Sequence, residues 1–132
     1  MSMADDDRKN TPGSYLNRSI EPKIRQDFIE KLTEVNIARA KVWMNGKPRG
    51  LEFATIELCG AVGEVADAVK KYLRFKLGVP GGVKSIEPIA DEIADAFICL
   101  NLLSIELGID IRKAVRKKFN QTSEEYNLPH RL

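Results

Sequence analysis

From residue 51 to residue 107 the chain keeps a helical period and breaks it once, at "GVPGG" (78–82). Before the break, Ala54, Leu58, Val62, Val65, Val69 and Tyr72 recur at the three- and four-residue spacing of one helix face. After it, Ile89, Ile93, Phe97, Leu100 and Leu107 do the same. Glycines flanking a proline do not continue a helix. The pattern predicts two long helices, about 51–76 and from "SIEP" (85–88) to Gly108, joined by a short turn that lets them pack antiparallel.

Two more helices flank this pair. A first "SIEP" (19–22) supplies Ser19 as a cap and Pro22 in a first turn. Ile24, Phe28, Leu32 and Val35 follow at helical spacing, and Asn45-Gly46 stops the helix near Trp43 or Met44. Asp110 caps a last helix running to about Tyr126. Residues 1–18 lack periodicity and read as a flexible tail, which leaves 19–132 as one helical domain. No segment reads as a strand, so the expected class is all-α with four helices. The third helix carries Ile98, Leu102, Ile105 and Ile109 opposite its first apolar stripe. A helix that is apolar all round is covered on both sides, and so small a chain needs a partner subunit to provide that cover.

The bulk numbers exclude several functions. A net charge of +2 across 132 residues gives no support for nucleic acid or a membrane surface as partner. No apolar run approaches the ~20 residues of a membrane span. The opening "MSMADDDRKNTPGS" is unlike a secretory leader, so a cytoplasmic location is expected. Cys59 and Cys99 both fall in helical patterns and read as reduced, core-facing thiols. His130 is the only histidine, so any bound metal would be held by oxygen, which favours Mg²⁺ or Mn²⁺.

Acids line the edges of the two central stripes. At ~100° per residue, Glu57, Ala61 and Glu64 share a narrow strip of the second helix, with Lys71 further along and Asp67 beside it. On the third helix Glu92 and Asp95 stand one turn apart on one side. Antiparallel packing brings the two acid edges face to face. Like charges so placed repel unless a cation lies between them. Bound Mg²⁺ would resolve that conflict and would suit phosphate chemistry, with Lys71 in reach of a phosphate. The same spacing also lets Lys70, Lys71 and Arg74 pair with Asp67 at the surface.

Over about residues 40–132 the chain resembles the MazG-like, all-α nucleoside triphosphate pyrophosphohydrolases. The resemblance lies in the "ELCG-VGE" run, in "ADEIADAFICL", in "LGIDIRKAVRKKFN" and in the ending "HRL". It implies a dimer or tetramer of such helices. It also implies a site in which ExxE on one helix and ExxD on the next hold Mg²⁺, and cleavage of an NTP or dNTP to monophosphate and pyrophosphate. Glu64 matches the second glutamate of ExxE, and Glu92 and Asp95 match ExxD. Lys118 and Asn120 match polar positions near metal and phosphate, and Trp43 stands where some relatives place an aromatic against the base. The first glutamate of ExxE falls at Ala61, where a methyl cannot bind a cation; Glu57, one turn earlier, is the acid placed to replace it.

Two functions follow from these readings. One is a Mg²⁺-dependent pyrophosphohydrolase in which Glu57 or Glu64 takes a proton from the attacking water. The other is a catalytically impaired binding or regulatory module that keeps the helical assembly. A purely structural oligomer would leave the acid edges without a role.

Overall fold

A computed structural model describes residues 22–132, with side chains from residue 28 onward. The tail expected over 1–18, the Ser19 cap and the side chain of Ile24 lie outside the described residues. Four helices follow one another: α1 (Pro22–Trp43), α2 (Leu51–Lys76), α3 (Glu87–Glu106) and α4 (Ile111–Glu125). No strand occurs among the described residues, so the chain is all-α.

The helix ends follow local chemistry. Asn45 and Gly46 adopt positive φ and end α1. The Ser85 hydroxyl accepts from the Glu87 amide at 3.1 Å at the start of α3. Asp110 caps α4, accepting from the amides of Arg112 at 3.1 Å and Lys113 at 3.3 Å. The amide contacts, Lys113 first, hold the Asp110 carboxyl below its ordinary pKa. In the turn after α2, the amide of Val83 donates to the carbonyl of Lys71 at 3.0 Å, folding the loop back along the helix. Gly82 makes that possible: a Cβ there would lie 2.5 Å from the backbone of Phe75.

α3 is the central element. α2 packs along it, and α1 packs across another part of its surface, whereas α4 makes only marginal contact with the other helices. Small side chains, Ala54 and Ala61, form the buried line of α2. Against α1 the contact is polar. Asn36 and Asn101 are 2% and 4% exposed, and the Asn36 amide donates to Asn101 Oδ1 at 2.9 Å. Asn101 in turn donates to Thr33 Oγ1 at 3.0 Å, and Thr33 donates to the Ile29 carbonyl at 2.9 Å. At the other end Arg39 donates to Asn36 Oδ1 at 3.1 Å. Each side-chain amide in this ladder has a partner, which is the condition for burying one.

This ladder corrects the expected inner faces. Ile93, Phe97, Leu100 and Leu107 of α3 are exposed, and the buried side is that of Asn101, Leu102 and Ser104. Phe28 and Val35 of α1 are likewise exposed, and the buried residue of α1 is Asn36, to one side of them. Val62 of α2 is exposed as well, and so is Cys59, which was expected in the core. Periodicity reports that a face is apolar; with apolar residues all round α3, hydrogen bonding decides which face turns inward.

The ladder generates a stability prediction. Asn101→Ala removes one partner from both Asn36 and Thr33, so unfolding in urea should show a loss of about 2 kcal/mol. Asn36→Ala combined with Asn101→Ala should cost less than the sum of the single changes, because the two side chains share a bond. Additive losses would show that the two amides do not depend on each other.

Candidate functional site

The antiparallel α2 and α3 leave two neighbouring cavities on one side of their seam. The larger, of about 450 Å³, lies between α1, α2 and α3 and is lined by Glu57, Ala61 and Glu64 from α2, Asp95 and Cys99 from α3, and Asn36, Arg39 and Trp43 from α1. Arg49, from the loop before α2, also reaches it. The smaller, of about 220 Å³, is lined by Glu64, Asp67 and Lys71 of α2, Glu92 of α3 and the folded-back loop at Val83 and Ser85. Glu64 borders both. The first cavity falls in the size range of small-molecule sites.

The expected acids are thus gathered on one side of the hairpin but divided between two spaces. Glu57, Glu64 and Asp95 share the larger; Glu64 and Glu92 share the smaller. Among the described residues no three acidic, cysteine or histidine side chains converge on one point. The acids also differ in their partners. Glu57 is ion-paired with Arg49, and Asp67 is paired with Lys70 and, at 2.7 Å, with Lys71. Hydrogen bonds from Lys70 and then Lys71 lower the Asp67 carboxyl to a pKa of about 2. Glu64, Glu92 and Asp95 make no ion pair among the described residues. Of the five acids expected at the site, the three without an ion pair are the three that match the sequence motif.

The other expected residues separate as follows. Trp43 borders the larger cavity with its side chain 75% exposed, a free aromatic face rather than a core residue. Lys71 borders the smaller cavity while engaged with Asp67. Lys118 and Asn120 lie on α4 and line neither cavity. Asn120 instead binds the chain end, accepting from the Leu132 amide at 2.9 Å and donating to its carbonyl at 3.3 Å. Cys99 Sγ sits 3.9 Å from Asp95 Oδ2, and burial, then the charge of Asp95, raises the thiol pKa.

Three residues of this site escaped the sequence reading: Asn36, Arg39 and Arg49. Asn36 and Arg39 share the inner side of α1, which the apolar pattern did not mark. Arg49 belongs to the short loop "GKPRG", and no spacing rule ties a loop side chain to a carboxylate two turns into the next helix.

A Mg²⁺ ion fits this donor set in chemistry and in number. Its ligands are hard oxygens, and it commonly takes one or two protein carboxylates, filling the remaining positions with water and substrate phosphate. Glu64 and Asp95 in one cavity meet that requirement. An all-protein cage of four acids does not, because Glu57 is already engaged by Arg49.

Comparison with protein families, with curated proteins and with solved structures gives no match for this chain. The functional reading rests on the chain's own residues.

Proposed function

We propose that this chain is a Mg²⁺-dependent nucleoside triphosphate pyrophosphohydrolase of the MazG-like kind, converting an NTP or dNTP to the monophosphate and pyrophosphate. The observation that supports it is the pair of unpaired carboxylates, Glu64 and Asp95, on two helices beside one cavity that also holds two arginines and an exposed tryptophan. Bound there, Mg²⁺ or Mn²⁺ supplies a Lewis acid for phosphate oxygens and a water of lowered pKa. In this reading the proton of the attacking water goes to a carboxylate oxygen that does not hold the metal, on Glu57 or on Glu64, which borders both cavities. Glu92 continues the acid edge into the smaller cavity, where Lys71 can leave Asp67 for a phosphate oxygen. Trp43 offers its indole face to the base. Lys118 and Asn120 meet such a substrate only if α4 of a second subunit brings them.

The second subunit is part of the proposal. Ile93, Phe97, Leu100 and Leu107 of α3 and Val62 and Leu73 of α2 are exposed apolar residues. Helical geometry puts them on the side of the hairpin away from the cavities. Val115, Phe119 and Tyr126 form a similar exposed stripe on α4. Apolar surface on that scale marks an interface, and a second copy of this chain is the partner proposed for it. No helix among the described residues is long and apolar enough to cross a membrane. The alternative, a catalytically impaired binding module, is favoured by Ala61 and by the engagement of Glu57 with Arg49.

Pyrophosphate release from a panel of nucleotides, with and without Mg²⁺, separates the two readings. The enzyme reading expects metal-dependent release that falls at least about 100-fold in Glu64→Gln and in Asp95→Asn, roughly 2.7 kcal/mol of barrier. Ala61→Glu should tighten Mg²⁺ binding and raise turnover about ten-fold by returning a carboxylate to the family position. Because Ala61 is 3% exposed, the same variant should be less stable than the parent without metal. Absence of release from every nucleotide would transfer the site to the binding-module reading. Sedimentation at micromolar concentration should show a dimer or tetramer; a monomer would contradict the subunit proposal.

A further inference from the structure

Arg49 is a nearly buried cation of the larger cavity whose hydrogen bonding is incomplete. Its side chain is 7% exposed. The ring of Phe53 lies 5.7 Å from its guanidinium carbon, and Glu57 is its ion partner. Yet that pair engages one end of the guanidinium, Nη1 on Glu57 Oε2, and leaves Arg49 Nε buried without a hydrogen-bond partner. Buried polar atoms are almost always bonded, and an exception calls for a ligand or a rearrangement. Charges removed from water need hydrogen bonds besides mutual attraction. The other cations beside these cavities have no buried nitrogen left without a partner among the described residues. Arg39 donates to Asn36 Oδ1 at 3.1 Å, and Lys71 holds Asp67 at 2.7 Å.

We infer that Arg49 and Glu57 form an exchangeable pair, in which Arg49 turns from Glu57 to the phosphate chain of a bound ligand and Glu57 is left as the acid that covers position 61. The inference rests on the phosphate-ligand part of the proposed function and adds to it a specific anion receptor. The guanidinium fork suits two phosphate oxygens, so the exchange can give Nε the partner that Glu57 leaves it without. It also explains how one strip of α2 carries both a missing carboxylate at 61 and a neutralised one at 57. Without ligand, Arg49 cancels the charge of Glu57 and the acid edge is tolerable without a metal. With ligand, the phosphate takes the arginine and the free carboxylate strengthens the cation side of the site. Phosphate and Mg²⁺ would then each favour binding of the other, a coupling between two sites carried by one ion pair.

Calorimetric titration of the full chain tests this, with inorganic pyrophosphate in the absence of metal and with Mg²⁺ in the absence of phosphate. Arg49→Met should weaken pyrophosphate binding about ten-fold or more while tightening binding of Mg²⁺ alone. Glu57→Gln should tighten pyrophosphate binding, since its competitor for the guanidinium is gone. Thermal unfolding checks that each variant is folded; if Arg49→Met is not, Glu57→Gln carries the test. Equal pyrophosphate affinity in the parent and in Arg49→Met, or no gain in Glu57→Gln, would overturn the exchange. A parent that binds no pyrophosphate would overturn it too. The proposed hydrolysis fails separately: an Arg49-dependent pyrophosphate site in a protein that cleaves no nucleotide supports the exchange and removes only the enzyme reading.

Discussion

The antiparallel packing of α2 along α3, with the small side chains Ala54 and Ala61 as the buried residues of α2, sets where the acids of the site lie. The short turn at Gly82, which rests on the backbone of Phe75, sets the two helices antiparallel. With that geometry the acid edges fall on one side and the apolar edges on the other. One seam therefore creates both a charged cavity and an exposed greasy back.

The energetics of the seam explain why these two surfaces belong together. Among the described residues the buried apolar side chains are Ala54, Ala61 and Leu102. That is little apolar burial to set against the entropy of ordering four helices. The Asn36–Asn101 ladder specifies how α1 sits on α3, but buried hydrogen bonds contribute only modest net stability each. Covering the back of the hairpin with a second copy would supply the missing burial. It would also offer α4, tied to α1 through the Arg112–Glu30 ion pair and otherwise loosely attached, a surface to pack on.

The helix boundaries were legible because caps and breakers act locally. Asn45-Gly46, "GVPGG", Ser85, Gly108 and Asp110 each do what their own chemistry dictates, whatever the helix later packs against. The faces were less legible. α3 is apolar on several sides, so periodicity pointed to Ile93 and Phe97 while the asparagine ladder turned Asn101 and Leu102 inward. The acids were legible as a group, since helical spacing alone puts them on facing edges. Their partners were not, because Arg49 reaches Glu57 from a loop, and Asn120 meets the chain end rather than the acids. Pairing between elements depends on tertiary placement, which no local spacing encodes.

In the proposed function Glu64 and Asp95 hold a cation against a ligand's phosphates. Crystals grown with Mn²⁺ and a non-hydrolysable nucleoside triphosphate would test it directly, through the anomalous scattering of the metal. The account predicts a peak within coordination distance of both carboxylates and of a phosphate oxygen. Nucleotide bound with no such peak, or a metal held away from Glu64 and Asp95, would contradict it.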